Sequence, residues 1–249
     1  MKRSKKDRIL REARLIPGYL FVLLWVVAVF VIIGWIILAS LSTTREIFKG
    51  DLIASGLQWS NFQKALFSNK LIVNLMNSTI YTVPSCILII LVCAPAAYCL
   101  SRFRFFGNQA FQKMILTGLS IPSIMIVMPL CSIISALNMS GSRFTMIFLY
   151  TATSVPYTTY FLMTFFKGIS NTYAEAATID GCGQVQCFWR IMFPLAQPAV
   201  VTVTIFNFIT IWNEYFLALV FANKTELRSL GVGLYQIVYS CLLYTSPSP

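Results

Sequence analysis

Five long apolar segments dominate the sequence, and they limit the fold more than any other feature. They cover residues 15–41, 71–100, 114–137, 144–166 and 194–222. Hydrophobic residues make up 57% of the chain and charged residues only 11%, which excludes an ordinary soluble domain. A helix of about 20 apolar residues spans a bilayer, and in lipid a single segment satisfies its backbone hydrogen bonds only as a helix. The sequence therefore predicts an all-α, polytopic membrane protein with five transmembrane helices.

The distribution of basic residues predicts the orientation in the membrane. Residues 1–14 form a basic arm directly before the first apolar segment, and the loop at residues 101–113 holds Arg102, Arg104 and Lys113 but no acid. Basic residues are enriched in the cytoplasmic segments that flank membrane helices. We therefore expect a cytoplasmic N-terminus. The net charge of +11 is largely explained in this way, so membrane lipid is an expected partner and nucleic acid is not.

The chain lacks the residues that several classes of site require. It has no histidine, which excludes Ser-His hydrolases and histidine-ligated metal sites. None of its seven cysteines forms a C-x-x-C pair, so neither a zinc site nor a thioredoxin-type redox pair is indicated. The sequence also lacks the G-x-x-x-x-G-K-[ST] loop that holds nucleotide phosphates. We therefore expect no metal, no cofactor and no catalytic residue in this chain.

A polar segment at about residues 170–193 separates the fourth and fifth apolar segments. From Glu175 it reads EAATIDGCGQVQCFWRIMFP, and its alanines favour a first short helix. Gly181 and Gly183 then interrupt the helical pattern, because glycine favours bends. The sequence predicts two short helices joined by a glycine hinge.

The second of these short helices is expected to be amphipathic. Val185, Phe188 and Met192 recur at helical spacing and are predicted to share one face. Pro194 fits the first turn of the helix that follows, where the missing N–H is no loss.

This polar segment resembles the EAA loop of the membrane subunits of ATP-binding-cassette (ABC) importers, and within that family the carbohydrate-uptake branch with its maltose-type permeases. The pattern in that branch is close to EAA-x-x-DG-A-x-x-x-x-F-x-x-I-x-x-P. The matching positions are Glu175, Ala176, Ala177, Asp180, Gly181, Phe188, Ile191 and Pro194. Cys182 and Gly183 stand where the branch commonly has Ala and Ser. Shorter patterns that also resemble the branch are W-x-N-F at 59–62, N-S at 77–78, S-R-F-R-F-x-G at 101–107 and W-N-E-Y at 212–215.

The resemblance implies a type I ABC importer permease fold, which has six transmembrane helices in the family, in a bacterial inner (cytoplasmic) membrane. The implied partners are two ATP-binding subunits, a second, homologous permease subunit and an extracytoplasmic substrate-binding protein. ATP hydrolysis then belongs to a partner, and the EAA loop couples it to transport. The residues implied in coupling are Glu175, Ala176, Ala177, Asp180, Gly181 and Phe188. The alanines would allow close packing, the acids polar contacts or capping, and Gly181 the hinge.

Polar residues within the predicted spans are candidates for a translocation pathway, and we name Asn77, Asn213 and Glu214. A carboxylate near the centre of a bilayer costs about 2.5–3.5 kcal/mol on insertion scales, so Glu214 is a candidate functional residue. The alternative is that Glu214 lies hydrated near the outer interface. Either asparagine could equally make hydrogen bonds between helices.

Other functions remain open at this point. A secondary transporter would use Glu214 as a proton or ion site and would need no ATPase. A membrane sensor built on the permease fold would bind partners but transport nothing. An intramembrane enzyme is disfavoured because the chain has no histidine.

The C-terminal part departs from the family pattern. Residues 225–236 resemble the L-P-V-G-L segment that precedes the sixth span of the family, with Gly231 in place of the proline. We expect a permease domain at 15–236 and an atypical tail at 237–249, whose prolines break any span. This tail is either foreign sequence on a truncated subunit or the end of a five-span variant.

Overall fold

The computed structural model describes residues 5–68, 70–222 and 224–245, and every regular element in these ranges is a helix. The longer helices are α1 (Lys5–Ser40), α4 (Leu71–Arg102), α5 (Asn108–Ser120), α6 (Ser123–Ala136), α7 (Arg143–Gly168), α11 (Gln197–Trp212) and α13 (Leu230–Thr245). The short helices are α2 (Thr44–Lys49), α3 (Ser60–Gln63), α8 (Thr172–Ile179), α9 (Gln184–Cys187), α10 (Phe193–Leu195) and α12 (Phe216–Phe221). Two π-helical segments, Lys64–Ser68 and Phe188–Met192, directly follow α3 and α9. The predicted all-α fold is confirmed.

The number of membrane spans depends on how bent helices are counted. Among the described residues, α1 from Leu15 and the whole of α4 are long and apolar enough to cross a membrane. Two bent pairs, α5 with α6 and residues 184–195 with α11, would each add one span by length and composition. Helix α7 has 26 residues but is not in this set, because its threonines and tyrosines lower its hydropathy. The count of five spans therefore stays a prediction.

The chain divides into two compact units, residues 1–69 and 70–249. In the first unit, a capping box begins α2: the Glu46 carboxylate accepts the N–H of Thr43 at 2.8 Å, and the Thr43 hydroxyl accepts the N–H of Glu46 at 3.4 Å. Asn61 donates to the carbonyls on either side of the turn after α1, at 3.0 and 3.1 Å. These bonds fix the segment that follows the first apolar helix.

In the second unit, α4 and α7 form the most extensive helix pair, and α11 packs on both. Small side chains allow the close approach of α4: Cys93, Ala94 and Ala97 are completely buried. Between α7 and α11, the side chain of Asn207 donates to the hydroxyl of Thr158 at 2.9 Å. Such interhelical bonds satisfy polar groups that lipid cannot.

The third predicted span, at residues 114–137, is broken at Pro122, one of the two prolines, with Pro129, that are expected to kink it. It consists of α5 and α6, whose axes differ by 108°. Ile121 has an extended backbone (φ −83°, ψ 120°) because it precedes Pro122, which disfavours the helical conformation there. The preceding loop is also shorter than predicted, since α5 already begins at Asn108.

The fifth predicted span, at residues 194–222, is also interrupted. A turn at Ala196 separates α10 from α11 with a bend of 73°, and residues 213–215 separate α11 from α12. Pro194 thus lies in α10, whereas Pro198 occupies the first turn of the long helix. Pro194 is therefore in the first turn of the short helix that follows the loop, as predicted.

Helix α13 crosses the predicted domain boundary at residue 236 without a break and continues to Thr245. Its 16 residues correspond to about 24 Å at 1.5 Å per residue, which is less than the roughly 30 Å hydrocarbon thickness of a bilayer. Residues 1–4 of the predicted basic arm and residues 246–249 of the predicted tail lie outside the described part of the chain.

Candidate functional site

The predicted hinge is a capped turn. Helix α8 ends at Asp180, and Gly181 follows with φ +79°, in the left-handed region that favours glycine. The N–H of Gly181 bonds to the carbonyl of Thr178 at 3.1 Å, and the N–H of Cys182 bonds to that of Ala177 at 2.9 Å. This pair of bonds is a Schellman motif, which ends a helix in a defined direction. Residues 170–193 are called the coupling loop below, after the role that the resemblance implies, and they contain two short helices joined by this defined turn.

One side of the coupling loop packs on the helices of the second unit. Phe188 is 5% exposed, and its ring centroid lies 5.1 Å from that of Tyr98 on α4 and 6.3 Å from that of Phe166 on α7. Ala177 is 3% exposed. Phe188 is therefore an anchor within this chain and has little surface left for a partner.

The opposite side of the coupling loop is exposed and partly apolar. Ile179 is 86% exposed, Val185 73% and Tyr173 52%. Val185 was predicted to share one face with Phe188 and Met192, but these two side chains are buried and Val185 is not. Cys187 is buried instead. The π-helical segment Phe188–Met192 follows directly, and the spacing of a regular α-helix does not hold there.

The remaining predicted coupling residues lie on this exposed side. Glu175, Ala176, Asp180 and Gly181 are all exposed. A Cβ atom built on Gly181 would meet no atom within 4 Å. The coupling loop thus presents a surface of small, acidic and apolar side chains on a rigid turn.

Arg102 ties the start of the coupling loop to the end of α4. Its guanidinium donates to the carbonyl of Phe166 at 2.8 Å, and also to the carbonyl of Ile169 and the side-chain oxygen of Asn171. It thereby caps the C-terminus of α7 and holds the residue that precedes α8. The sequence indicated Arg102 only as a topology-determining charge and as part of the S-R-F-R-F-x-G pattern.

A cavity of about 580 Å³ lies between α6, α7, α11 and α12. Its walls are mostly apolar, with polar groups contributed by Tyr150, Thr153, Ser154 and Glu214 and aromatic rings by Tyr157 and Phe206. Apolar walls with a few placed polar groups are typical of small-molecule sites.

Glu214 lies at this cavity and caps α12. Its carboxylate accepts the N–H groups of Leu217 and Ala218 at 2.8 and 3.1 Å, and the hydroxyl of Tyr150 at 3.1 Å. The helix is interrupted at residues 213–215, so the first N–H groups of α12 have no acceptor in a preceding turn and can bond to this carboxylate. Asn213 is exposed, does not line the cavity, and donates to the carbonyl of Ile209 in its own helix at 2.9 Å.

Asn77 lies apart from the cavity, at 1% exposure on α4. It donates to the carbonyls of Glu226 and Arg228 at 2.7 and 3.1 Å, and its oxygen accepts from Arg143 at 3.2 Å. Asn77 thus fixes the segment before α13, which is the interhelical alternative that the sequence left open. Of the three pathway candidates, only Glu214 lines the cavity.

The site also contains residues that the sequence did not single out. Tyr98 and Tyr150 lie inside apolar segments, where a tyrosine has no distinguishing pattern, and their roles follow only from contacts between distant helices. No group of three or more His, Cys, Asp or Glu residues that could hold a metal ion occurs among the described residues.

Comparison with known proteins agrees with the helical arrangement. The diacetylchitobiose uptake system permease protein NgcG of Streptomyces coelicolor is 32% identical over 218 residues, covering 87% of this chain and 72% of that protein. The melibiose/raffinose/stachyose import permease protein MelC of Bacillus subtilis is 30% identical over 200 residues, covering 78% and 72%. A chain in the crystal structure of a bacterial ABC transporter involved in the import of the acidic polysaccharide alginate matches with a TM-score of 0.80 and 25% identity, over 100% of this chain and 90% of that chain.

The family assignment rests on a separate match. Residues 87–238, which contain the coupling loop, Glu214 and the second half of α4, match the family described as binding-protein-dependent transport system inner membrane component. This range covers more than half of the chain. The protein therefore belongs to the family of inner membrane permease components of binding-protein-dependent ABC importers.

Proposed function

We propose that this chain is one membrane-spanning permease subunit of an ATP-driven sugar importer, in which the coupling loop transmits ATPase movement to the transmembrane helices. The observation that carries the proposal is the two-sided coupling loop. Phe188 and Ala177 fasten one side to the chain, while Ile179 and Val185 are exposed on the other. Exposed apolar side chains that adjoin polar ones are typical of a protein–protein contact.

The assembly would contain two ATP-binding subunits, a second, homologous permease and an extracytoplasmic substrate-binding protein, in the bacterial inner membrane with the N-terminus of this chain cytoplasmic. The family supports this composition, since its members are the membrane components of binding-protein-dependent systems. In this arrangement Glu175, Ala176, Asp180 and Gly181 contact an ATP-binding subunit.

The transmission path follows the contacts of the coupling loop. A push on α8 and α9 reaches α4 through the contact of Phe188 with Tyr98, and α7 through that with Phe166. Arg102 joins the same two helices to the start of the loop. A capped turn and a packed aromatic cluster move as one body, so ATPase closure would shift both helices together.

Two features favour a sugar as the transported substrate. The relatives carry names that refer to diacetylchitobiose, to melibiose, raffinose and stachyose, and to sulfoquinovosyl glycerol. The cavity beside Glu214 combines aromatic rings with hydroxyl and carboxylate groups. Such a lining suits a ligand with apolar ring faces and many hydroxyls.

The test is copurification of the ATP-binding subunits with the tagged chain from cells that express the whole transporter. The double variant Ile179→Asp/Val185→Asp should lose most of the ATP-binding subunits, because it places charges in an apolar contact. The matched control Gln184→Asp adds an acid at a neighbouring exposed position and should retain them. Equal recovery of the ATP-binding subunits with the double variant and the wild type would contradict the proposal.

Transport measurements separate this function from a secondary transporter. Uptake by vesicles should stop when ATP is removed at a maintained ion gradient. Uptake that continues without ATP would favour the ion-coupled alternative and a role for Glu214 in it.

A further inference from the structure

A cleft of about 810 Å³ lies at the C-terminal end of α4, next to the first turns of α5 and the last turn of α7. Three basic side chains line it, Arg102, Arg104 and Lys167, and no carboxylate is among its lining residues. Basic groups gathered without a counter-charge create a positive potential that favours an anion. We propose that this cleft binds the phosphate of an anionic phospholipid headgroup.

The donors in the cleft are held in place by an amide network. Gln112 accepts a hydrogen bond from the ammonium of Lys167 at 3.0 Å and donates to the carbonyl of Leu100 at 3.0 Å. An ammonium carries three N–H donors, so two remain for a ligand. Arg104 is exposed and makes no hydrogen bond to the described residues. The Nε atom of Arg102 is buried and has no partner among them.

The start of α5 adds to the same potential. Gly107 precedes α5 with φ +88°, no side chain caps this end, and residues 107–109 line the cleft. The N–H of Asn108 already donates to the carbonyl of Phe105 at 3.1 Å, which leaves the N–H groups of Gln109 and Ala110 at this end. Such groups in the first turn of a helix carry a partial positive charge, so they favour a phosphate. The cleft therefore combines three cationic side chains with backbone donors of α5.

The surroundings of the cleft favour a lipid over a phosphate from solution. Arg102 is the last residue of α4, which is long and apolar enough to cross a membrane alone, so the cleft lies at the end of a candidate span. Phe106 is fully exposed, and Phe105 and Phe111 are about half exposed. Side chains of this kind insert at the boundary of headgroups and acyl chains, next to basic residues. A soluble phosphate would gain nothing from these rings.

The experiment measures lipid retention by the full-length chain. The purified protein is placed in nanodiscs made of equal parts phosphatidylglycerol and phosphatidylcholine, re-extracted in detergent, and examined for bound lipid by native mass spectrometry. The variants are Arg104→Gln, Lys167→Gln and the double variant. The control is Lys113→Gln, which removes the same charge from α5 outside the cleft.

Wild type and Lys113→Gln should retain phosphatidylglycerol in preference to phosphatidylcholine. Each single cleft variant should lower that preference about fivefold, and the double variant more, as expected for one lost charge near an anionic surface. Inorganic phosphate at millimolar concentration should not displace the bound lipid.

Three results would overturn the proposal. The first is unchanged retention by the double variant, and the second is an equal loss in Lys113→Gln, which would indicate a diffuse surface charge. The third is displacement of the bound lipid by millimolar inorganic phosphate, which would identify the cleft as a site for phosphate from solution. The inference needs only the membrane location, so its failure would leave the role of the coupling loop untouched.

Discussion

The guanidinium of Arg102, in the last turn of α4, donates a hydrogen bond to the side-chain oxygen of Asn171, the residue that precedes α8. The two residues are 69 positions apart in the chain. The same guanidinium caps α7 through the carbonyls of Phe166 and Ile169. The end of α4, the end of α7 and the start of α8 therefore meet at one side chain.

Replacing Arg102 by glutamine should loosen the coupling loop. Hydrogen bonds from a charged donor contribute about 1.5–3 kcal/mol, and glutamine can replace only one of them. We expect a lower melting temperature in detergent and, in proteoliposomes, more ATP hydrolysed per substrate transported. Lys113→Gln removes a neighbouring basic charge that makes no such contacts and should leave both quantities unchanged. Equal ATP-to-substrate ratios in the two variants would refute a positioning role for Arg102.

Gly181 and Gly183 of the coupling loop should differ sharply in how a valine at each position affects transport. Gly181 has φ +79°, so a valine there is strained by about 1–2 kcal/mol although the space around it is open. Gly183 has φ −67° and ψ 160°, a conformation that valine adopts readily, and it is equally open. Gly181→Val should reduce uptake more than ATP hydrolysis, while Gly183→Val should behave like the wild type. Unchanged uptake with Gly181→Val would contradict the role of this turn.

The sequence predicted the helical class and the outline of the coupling loop well, because both depend on local signals. Long apolar segments specify membrane helices, and a glycine after a short helix specifies its end. The break at Ile121 coincides with the kink expected at Pro122, whereas the turn at Ala196 shows where this reasoning fails. An apolar run carries no sign of a sharp bend except a proline, and a proline also occurs inside the continuous helix α4. The bends follow from packing against other helices.

In the candidate site, too, the sequence predicts roles that depend on neighbouring residues but not those that depend on contacts between distant helices. Gly181 and Ala177 could be predicted because their roles are local. The burial of Phe188 against Tyr98, and the link from Tyr150 to Glu214, join residues 90 and 64 positions apart and leave no periodic trace in the sequence. Asn77 illustrates the converse, since a polar residue in a span suggested a pathway but forms hydrogen bonds to a backbone segment about 150 residues away.

Gly233 should tolerate no side chain beside Asn74. A Cβ atom at Gly233 would lie 1.9 Å from the Nδ2 atom of Asn74, whose side chain is 4% exposed and has little room to move. We expect Gly233→Ala to lower stability by about 1–3 kcal/mol, as for other overpacked sites. Gly231→Ala is the matched control on α13, because its nearest contact would be an ordinary 3.9 Å. Thermal unfolding measures the stability of both variants. Adding Asn74→Ala to Gly233→Ala removes the clashing side chain and should restore much of the lost stability.

Glu214 should contribute both to the stability of the fold and to substrate binding in the cavity. Glu214→Ala removes the acceptor for the N–H groups of Leu217 and Ala218, and loss of a helix cap costs about 1 kcal/mol. We expect lower thermal stability and a raised KM for uptake. Asn213→Ala loses only a bond within its own helix and should keep the KM of the wild type. A shift of KM in Asn213→Ala and none in Glu214→Ala would reverse the assignment.

The capping box of the first unit should make the segment after α1 resistant to acid. Hydrogen bonds from Ser55 and from the backbone N–H of Thr43 lower the pKa of Glu46 from 4.5 to about 2. Because the unfolded chain binds this proton more readily, the stabilisation is complete above about pH 4.5 and is lost as the pH falls towards 2. Amide exchange at Ser55, corrected for its intrinsic pH dependence, should therefore accelerate in this range. Glu46→Gln should exchange faster at neutral pH and show no such transition. A wild-type transition near pH 4.5 instead would mean that the carboxylate gains nothing from these bonds.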